Sequence, residues 1–172
     1  MQRRDEILQR LQQSRGSVTG ADLARQLGVS RQVIVQDVAI LRAEGHGILA
    51  TPQGYVMVPE SDPAPAPHRA RIAVNHPPQR TREELNVFVD CGVRVVDVIV
   101  EHALYGDLTG VLMLKSRDDV SRFMTRMEDA EAALLSSLTE GVHLHTVEFD
   151  RVDDLKHAED ELRKRGLLAG DQ

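Results

Sequence analysis

The strand-like segment GVHLHTVEF carries His143 and His145 one residue apart, and an i, i+2 pair on a strand sends both imidazoles to one face, about 7 Å apart. A metal ion can sit between two such rings. Two further ligands would complete a tetrahedral or larger site, and His76 and Glu84 are the candidates. His76 follows the first strand of this region, and Glu84 falls in the first turn of the next helix. Their segments can converge at one end of a sheet. Glu84 also lies three residues after Thr81, where it would serve equally as the acid of a capping box.

A second chemistry is written in VSRQVIVQDVAILRAEG. Ser30 stands at a helix cap, with Arg31, Gln32, Val35 and Gln36 on the face opposite Ile34, Val38 and Leu41. Arg pairs with guanine edges, Gln with adenine edges, and an aliphatic side chain meets a thymine methyl, so this face suits the DNA major groove. Ser30 and the free amides of the helix start suit a backbone phosphate. Gln53 and Tyr55, in the hairpin that follows, are expected at the flanking backbone or minor groove. A third group, His102 and Tyr105 in VEHALYG, places an imidazole and a phenol at a turn, which suits a small anion or simply stabilises the turn. The chain contains no G-x-S-x-G, Walker loop or dinucleotide fingerprint, and no enzyme is expected.

The elements that must position these residues follow from periodicity. Ile7, Leu8 and Leu11 mark a first helix, Leu23, Ala24 and Leu27 a second one capped by Thr19, and Ile34, Val38 and Leu41 a third after the turn Gly28-Val29-Ser30. Two short strands, Ile48 to Ala50 and Tyr55 to Val58, flank Thr51-Pro52-Gln53-Gly54. Three helices closed by a hairpin make a winged helix-turn-helix, assigned to residues 1–58. Pro59 to His68 has four prolines in ten residues and reads as a stiff linker. Residues 69–172 then give the order β-α-β-β-α-β-α: an α+β, antiparallel open sandwich of HPr-like type with helices on one face. One long helix is expected from Ser116, its apolar stripe running from Val120 through Met127 to Leu134, Leu135 and Leu138.

Composition narrows the partners. The chain of 172 residues is 41% hydrophobic and 28% charged, which fits a packed protein of two small domains. No apolar run approaches the roughly 20 residues that cross a bilayer, and no secretory signal opens the chain, so a cytoplasmic address and no membrane partner are expected. The net charge of -6 is uneven: residues 1–58 hold seven basic and five acidic groups, for +2, and the remainder is -8. A locally basic face suffices for DNA. Aromatics are only 3%, too few for the stacking surfaces that grip single strands. Cys91, alone and beside Gly92, reads as a small buried residue.

The segments VSRQVIVQDVAILRAEGHGILATPQGY, VNHPPQRTREELNVFVDCG, DVIVEHALYG, LKSRDDVSRF and LTEGVHLHTVE together resemble the niacin-responsive transcriptional repressors of NiaR type. The likeness spans about Arg4 to Leu162, and its most specific parts are GVHLHT and EH-x-x-YG. It implies a homodimeric repressor of niacin-uptake or NAD-biosynthesis genes that binds double-stranded operator DNA. It further implies nicotinic acid as co-repressor and a divalent transition metal, zinc, nickel or iron, on His76, Glu84, His143 and His145. His102 and Tyr105 match the segment placed near the effector. Ala103 departs from the proline usual there. His46, His68 and His157 match no ligand position. Two other readings stay open: a metal sensor, and a DNA-tethered metal hydrolase, for which Glu83 and Glu101 are the only local candidates for a general base.

Overall fold

The computed structural model describes residues 2–58, 68–131 and 133–170. The linker expectation falls on residues 59–67, outside those described; His68 is already the first residue of a strand.

Helices α1 (Arg3–Gln13), α2 (Gly20–Leu27) and α3 (Arg31–Ala43) form for the local reasons expected. Thr19 caps α2 by accepting from the Asp22 amide, and Ser30 caps α3 by accepting from the Val33 amide. Gly28 ends α2 in the left-handed region, at φ 66°. Ile7, Leu11, Leu23, Ile34, Val38 and Leu41 close one core between the three helices. The antiparallel wing, β1 (Ile48–Thr51) and β2 (Gly54–Met57), adds Ile48 and Tyr55 to it.

The second unit is an antiparallel sheet in the order β3 (His68–Asn75), β6 (Val142–Phe149), β4 (Arg94–His102), β5 (Gly106–Leu114). Helices α4 (Thr81–Asp90), α5 (Arg117–Asp129) and α6 (Val152–Lys164) bury one face of it around Phe88, Val95, Val120, Val147, Leu162 and Leu167. Cys91 is only half-buried at the end of α4, correcting the fully buried position expected. Among the described residues no helix is long and apolar enough to cross a membrane.

The long helix expected from Ser116 stops at Asp129, and Glu131 takes a left-handed φ of 49°. Residues Leu135–Thr139 instead form a short 3-10 helix. Glu128 and Asp129 place negative charge on the carbonyl end of α5, where the helix dipole disfavours it. The Ser137 hydroxyl donates to the Leu134 carbonyl rather than leaving it to a continuing helix. The break turns Leu134 and Leu135 back toward the sheet, where Leu135 lies over Gly110. A stripe read as one helix face thus becomes the wall of a cavity.

The sheet's other face is not open to water across its width. Val35 and Ala39 of α3 pack on Ala73, Ile99, Val142 and Leu144. This overturns the expectation that Arg31, Gln32, Val35 and Gln36 form an exposed face: Val35 is 4% exposed, Gln32 donates to the Thr139 carbonyl, and Arg31 pairs with Glu101. Gln36 stays partly exposed beside α1, and Ser30 and Gln53 are exposed. Tyr55 is corrected as well. Its ring is 1% exposed in the winged-helix core, and its hydroxyl donates to Glu101. Val35 alternates with an apolar sheet rather than with solvent, which helical periodicity cannot distinguish.

Candidate metal centre

Strand pairing gathers the site. β3 and β6 run antiparallel with Val74 opposite His143 and Ile72 opposite His145. Because side chains alternate along a strand, His76, two residues beyond Val74, joins the face that carries His143 and His145. That face also carries the core residues Ile72, Val74 and Val147. Gly141, at φ 102°, makes the close approach possible, since a Cβ there would lie 2.5 Å from the His76 carbonyl oxygen. Across the sheet, α4 lowers Glu84 between the rings. Its carboxylate is wholly buried and does not serve as a cap, while the Thr81 hydroxyl is left without a partner.

His76 Nε2 lies 2.6 Å from Glu84 Oε2, His145 Nε2 2.7 Å from Oε1, and His143 Nε2 3.4 Å from Oε2. All four sequence-derived ligands therefore meet. Donor atoms of His76, Glu84 and His143 all lie within 4.8 Å of one another. Each ring is fixed by its other nitrogen: Nδ1 of His76, His143 and His145 donates to the carbonyls of Pro77 at 2.9 Å, Gly141 at 2.8 Å and Asp97 at 2.7 Å. A carbonyl can only accept, so each Nδ1 carries the hydrogen, and in the neutral imidazole each Nε2 presents a lone pair to the carboxylate. Lone pairs facing lone pairs require protons or a cation. Glu84 Oε1 and His145 Nε2, buried and 2.7 Å apart, lack hydrogen-bond geometry with each other or any other group, and three nitrogens with one carboxylate, each ring held from behind, fit a divalent transition metal.

Burial pushes Glu84 upward, but the His145 and His143 imidazoles outweigh it and hold the carboxyl well below the usual carboxylate range. Burial, joined by repulsion from the His145 and His76 imidazoles, outweighs the Glu84 carboxylate and lowers His143. For His76 and His145 burial also acts downward, yet the contact with Glu84 prevails and both are raised. The two raised imidazoles stabilise the metal-free fold fully below their unfolded value of about 6.5, and this is lost as pH climbs through their folded values. Metal uptake must displace the same protons and gains as pH climbs. Between about pH 6 and pH 9 the melting temperature of metal-free protein should therefore fall while the increment added by zinc grows. Thermal melts across that range check it; increments that shrink together with the metal-free melting temperature would contradict the ligand set.

A cavity of about 210 Å³ opens beside the imidazoles. Leu85, Val98, Phe123, Met127 and Leu135 make it apolar, and Thr81, Ser136, His143 and His145 give it one polar end. His102 and Tyr105, expected near the effector, do not line this cavity. They stack at 4.9 Å in the β4–β5 turn, and His102 Nδ1 accepts from the amides of Leu104 and Tyr105. The residues missed, Phe123, Met127, Leu134 and Leu135, had signalled only an apolar stripe. Neither candidate general base is at the site. Glu83 pairs with Arg80, and Glu101 lies on the far side of the sheet with Tyr55 and Arg31.

Residues 69–171 match the 3H domain family, and residues 3–56 match an HTH domain family. The chain is 44% identical over 172 residues to the transcription repressor NadR of Bacillus subtilis, covering 98% of this chain and 94% of that protein. It is 42% identical over 167 residues to a probable transcription repressor NiaR of Thermotoga maritima, covering 97% of this chain and 93% of that one. Both relatives are named as repressors, not enzymes.

Proposed function

The chain belongs to the 3H-domain family of transcription repressors, NadR and NiaR among them, and from that premise we propose that it binds operator DNA in response to nicotinic acid and a bound divalent metal. The observation that carries the proposal is the cavity of about 210 Å³, apolar on its walls and bordered by two back-braced imidazoles, His143 and His145, and the buried Glu84 carboxylate that ties them to His76. A flat heteroaromatic acid matches both halves: the ring faces Leu85, Phe123 and Met127, and the carboxylate or ring nitrogen faces the Thr81 hydroxyl and the imidazoles. His76, Glu84, His143 and His145 hold the metal, which supplies a positive charge at the polar end. Ser30, Arg31, Gln32, Val35 and Gln36 read the duplex when α3 is free of the sheet, with Gln53 of the wing at its flank. The genes under control are those of niacin uptake or NAD synthesis, as the likeness to niacin-responsive repressors supports.

The operator complex is a homodimer, since two recognition helices are needed for two half-sites. Strand β5 supports this reading: it is a sheet edge with Val111 77% and Met113 64% exposed. The deciding experiment is footprinting of metal-loaded protein with nicotinate and with nicotinamide. Nicotinate is expected to tighten operator binding on the order of 5- to 150-fold, the usual reach of a coupled effector, and nicotinamide to do so far less. Operator affinity indifferent to nicotinate would remove the co-repressor role. Tightening by metal alone would make the metal the signal.

A further inference from the structure

The face of α3 that a major groove must accept is the face seated on the second unit. Its opposite side, Ile34, Val38 and Leu41, is consumed by the winged-helix core, so only the narrow edge with Val33 and Gln36 stays open. Val35 and Ala39 press on Val142 and Leu144. Around this apolar patch the pairing is of cation to carboxylate. Arg42 makes a bidentate pair with Asp107, both bonds 2.9 Å, with the two side chains only 5% and 13% exposed. Arg31 reaches Glu101 at 3.2 Å, and Tyr55 of the wing donates to the same carboxylate. The acidic groups belong to the β4–β5 hairpin, where Glu101 and Asp107 face each other across the strands. The hairpin is shaped by His102 and fitted to the wing at Gly106, where a Cβ would come within 2.7 Å of the Ala50 carbonyl oxygen.

We propose that this contact is autoinhibitory: Glu101 and Asp107 stand in for DNA phosphates and hold the recognition helix on the sheet until the cavity beside the imidazoles is filled. The inference rests on the proposed nicotinate response of that cavity. Two elements are common to both sites. Strand β6 turns His143 and His145 to the cavity and Val142 and Leu144 to α3. The 3-10 helix places Leu135 and Ser136 in the cavity wall and offers the Thr139 carbonyl to Gln32 at 3.0 Å. A ligand that shifts this wall withdraws support from α3, and the gain in DNA binding equals its differential affinity for the released state.

The first test alters only the carboxylate side, leaving the DNA-reading residues intact. The full-length double variant Glu101→Gln/Asp107→Asn, without nicotinate, is expected to bind operator about tenfold or more tightly than the unaltered chain, while affinities at saturating nicotinate converge. Unchanged or weaker effector-free binding by folded double variant overturns the proposal. A second measurement needs no charge change. With Cys91→Ser as background, a Val35→Cys thiol should label slowly with maleimide in the effector-free protein and faster with nicotinate; rapid labelling without it also overturns the docking. If the double variant binds DNA more tightly but the unaltered chain ignores nicotinate, the autoinhibitory contact stands and the effector assignment fails.

Discussion

Glu84→Gln is expected to lower affinity for zinc or nickel on the order of 100-fold or more, and with it the metal-dependent rise in melting temperature. The carboxylate is the only anionic member of the site and touches all three imidazoles. An amide of the same size keeps the packing but supplies one weakly ligating oxygen and a pair of N–H donors that compete for Nε2 lone pairs. Metal bound at 1,000 times its dissociation constant stabilises a fold by about 4 kcal/mol, so losing most of it is visible in a melt. The metal-free variant should remain folded, because neutral glutamine meets neutral imidazoles without a buried charge. Isothermal titration and metal analysis decide it; metal uptake equal to that of the unaltered chain would mean that the ion, if any, sits elsewhere.

Phe88→Ala should be the most damaging single change to the second unit, at about 3–5 kcal/mol. The ring is fully buried among Ile72, Leu85, Val93, Leu162 and Leu167, so its removal leaves a cavity bounded by a strand pair and two helices that cannot collapse together. It also meets the His145 ring edge-on, with centroids 5.8 Å apart. Metal affinity is therefore expected to fall along with stability. For a unit of about 100 residues the loss corresponds to a melting temperature lower by more than about 12 °C. Val152→Ala, on α6 but 62% exposed, is the comparison and should stay within about 0.5 kcal/mol. Equal melting temperatures for the two variants would show that the core is not organised around Phe88.

Much of the candidate ligand set was legible because it is local or nearly so. The i, i+2 spacing of His143 and His145 fixes a shared face once a strand forms, and the caps at Thr19 and Ser30 fix where α2 and α3 begin. Glu84 was ambiguous, since a capping acid and a ligand occupy the same first turn. The packing of α4 across the sheet resolves it, by bringing three imidazoles to a carboxylate that would otherwise have turned to the backbone. His102 and Tyr105 illustrate the converse. Their segment is distinctive in sequence, yet its geometry serves the hairpin that presents Glu101 and Asp107.

The linear order of residues by itself determined the winged helix-turn-helix, the antiparallel α+β unit and the shared face of His143 and His145. Alternation and helical repeat are properties of single elements, and the capacity of imidazole and carboxylate to ligate a cation belongs to the side chains themselves. Only the tertiary structure decided that the stripe from Val120 to Leu138 breaks after Asp129 to wall a cavity, and that Val35 and Arg42 lie against the sheet. Both outcomes turn on which apolar or charged surface lies opposite. A helix face that suits a DNA groove and one that suits an acidic, apolar-centred sheet have the same pattern, and the surface brought against it by the rest of the chain selects between them.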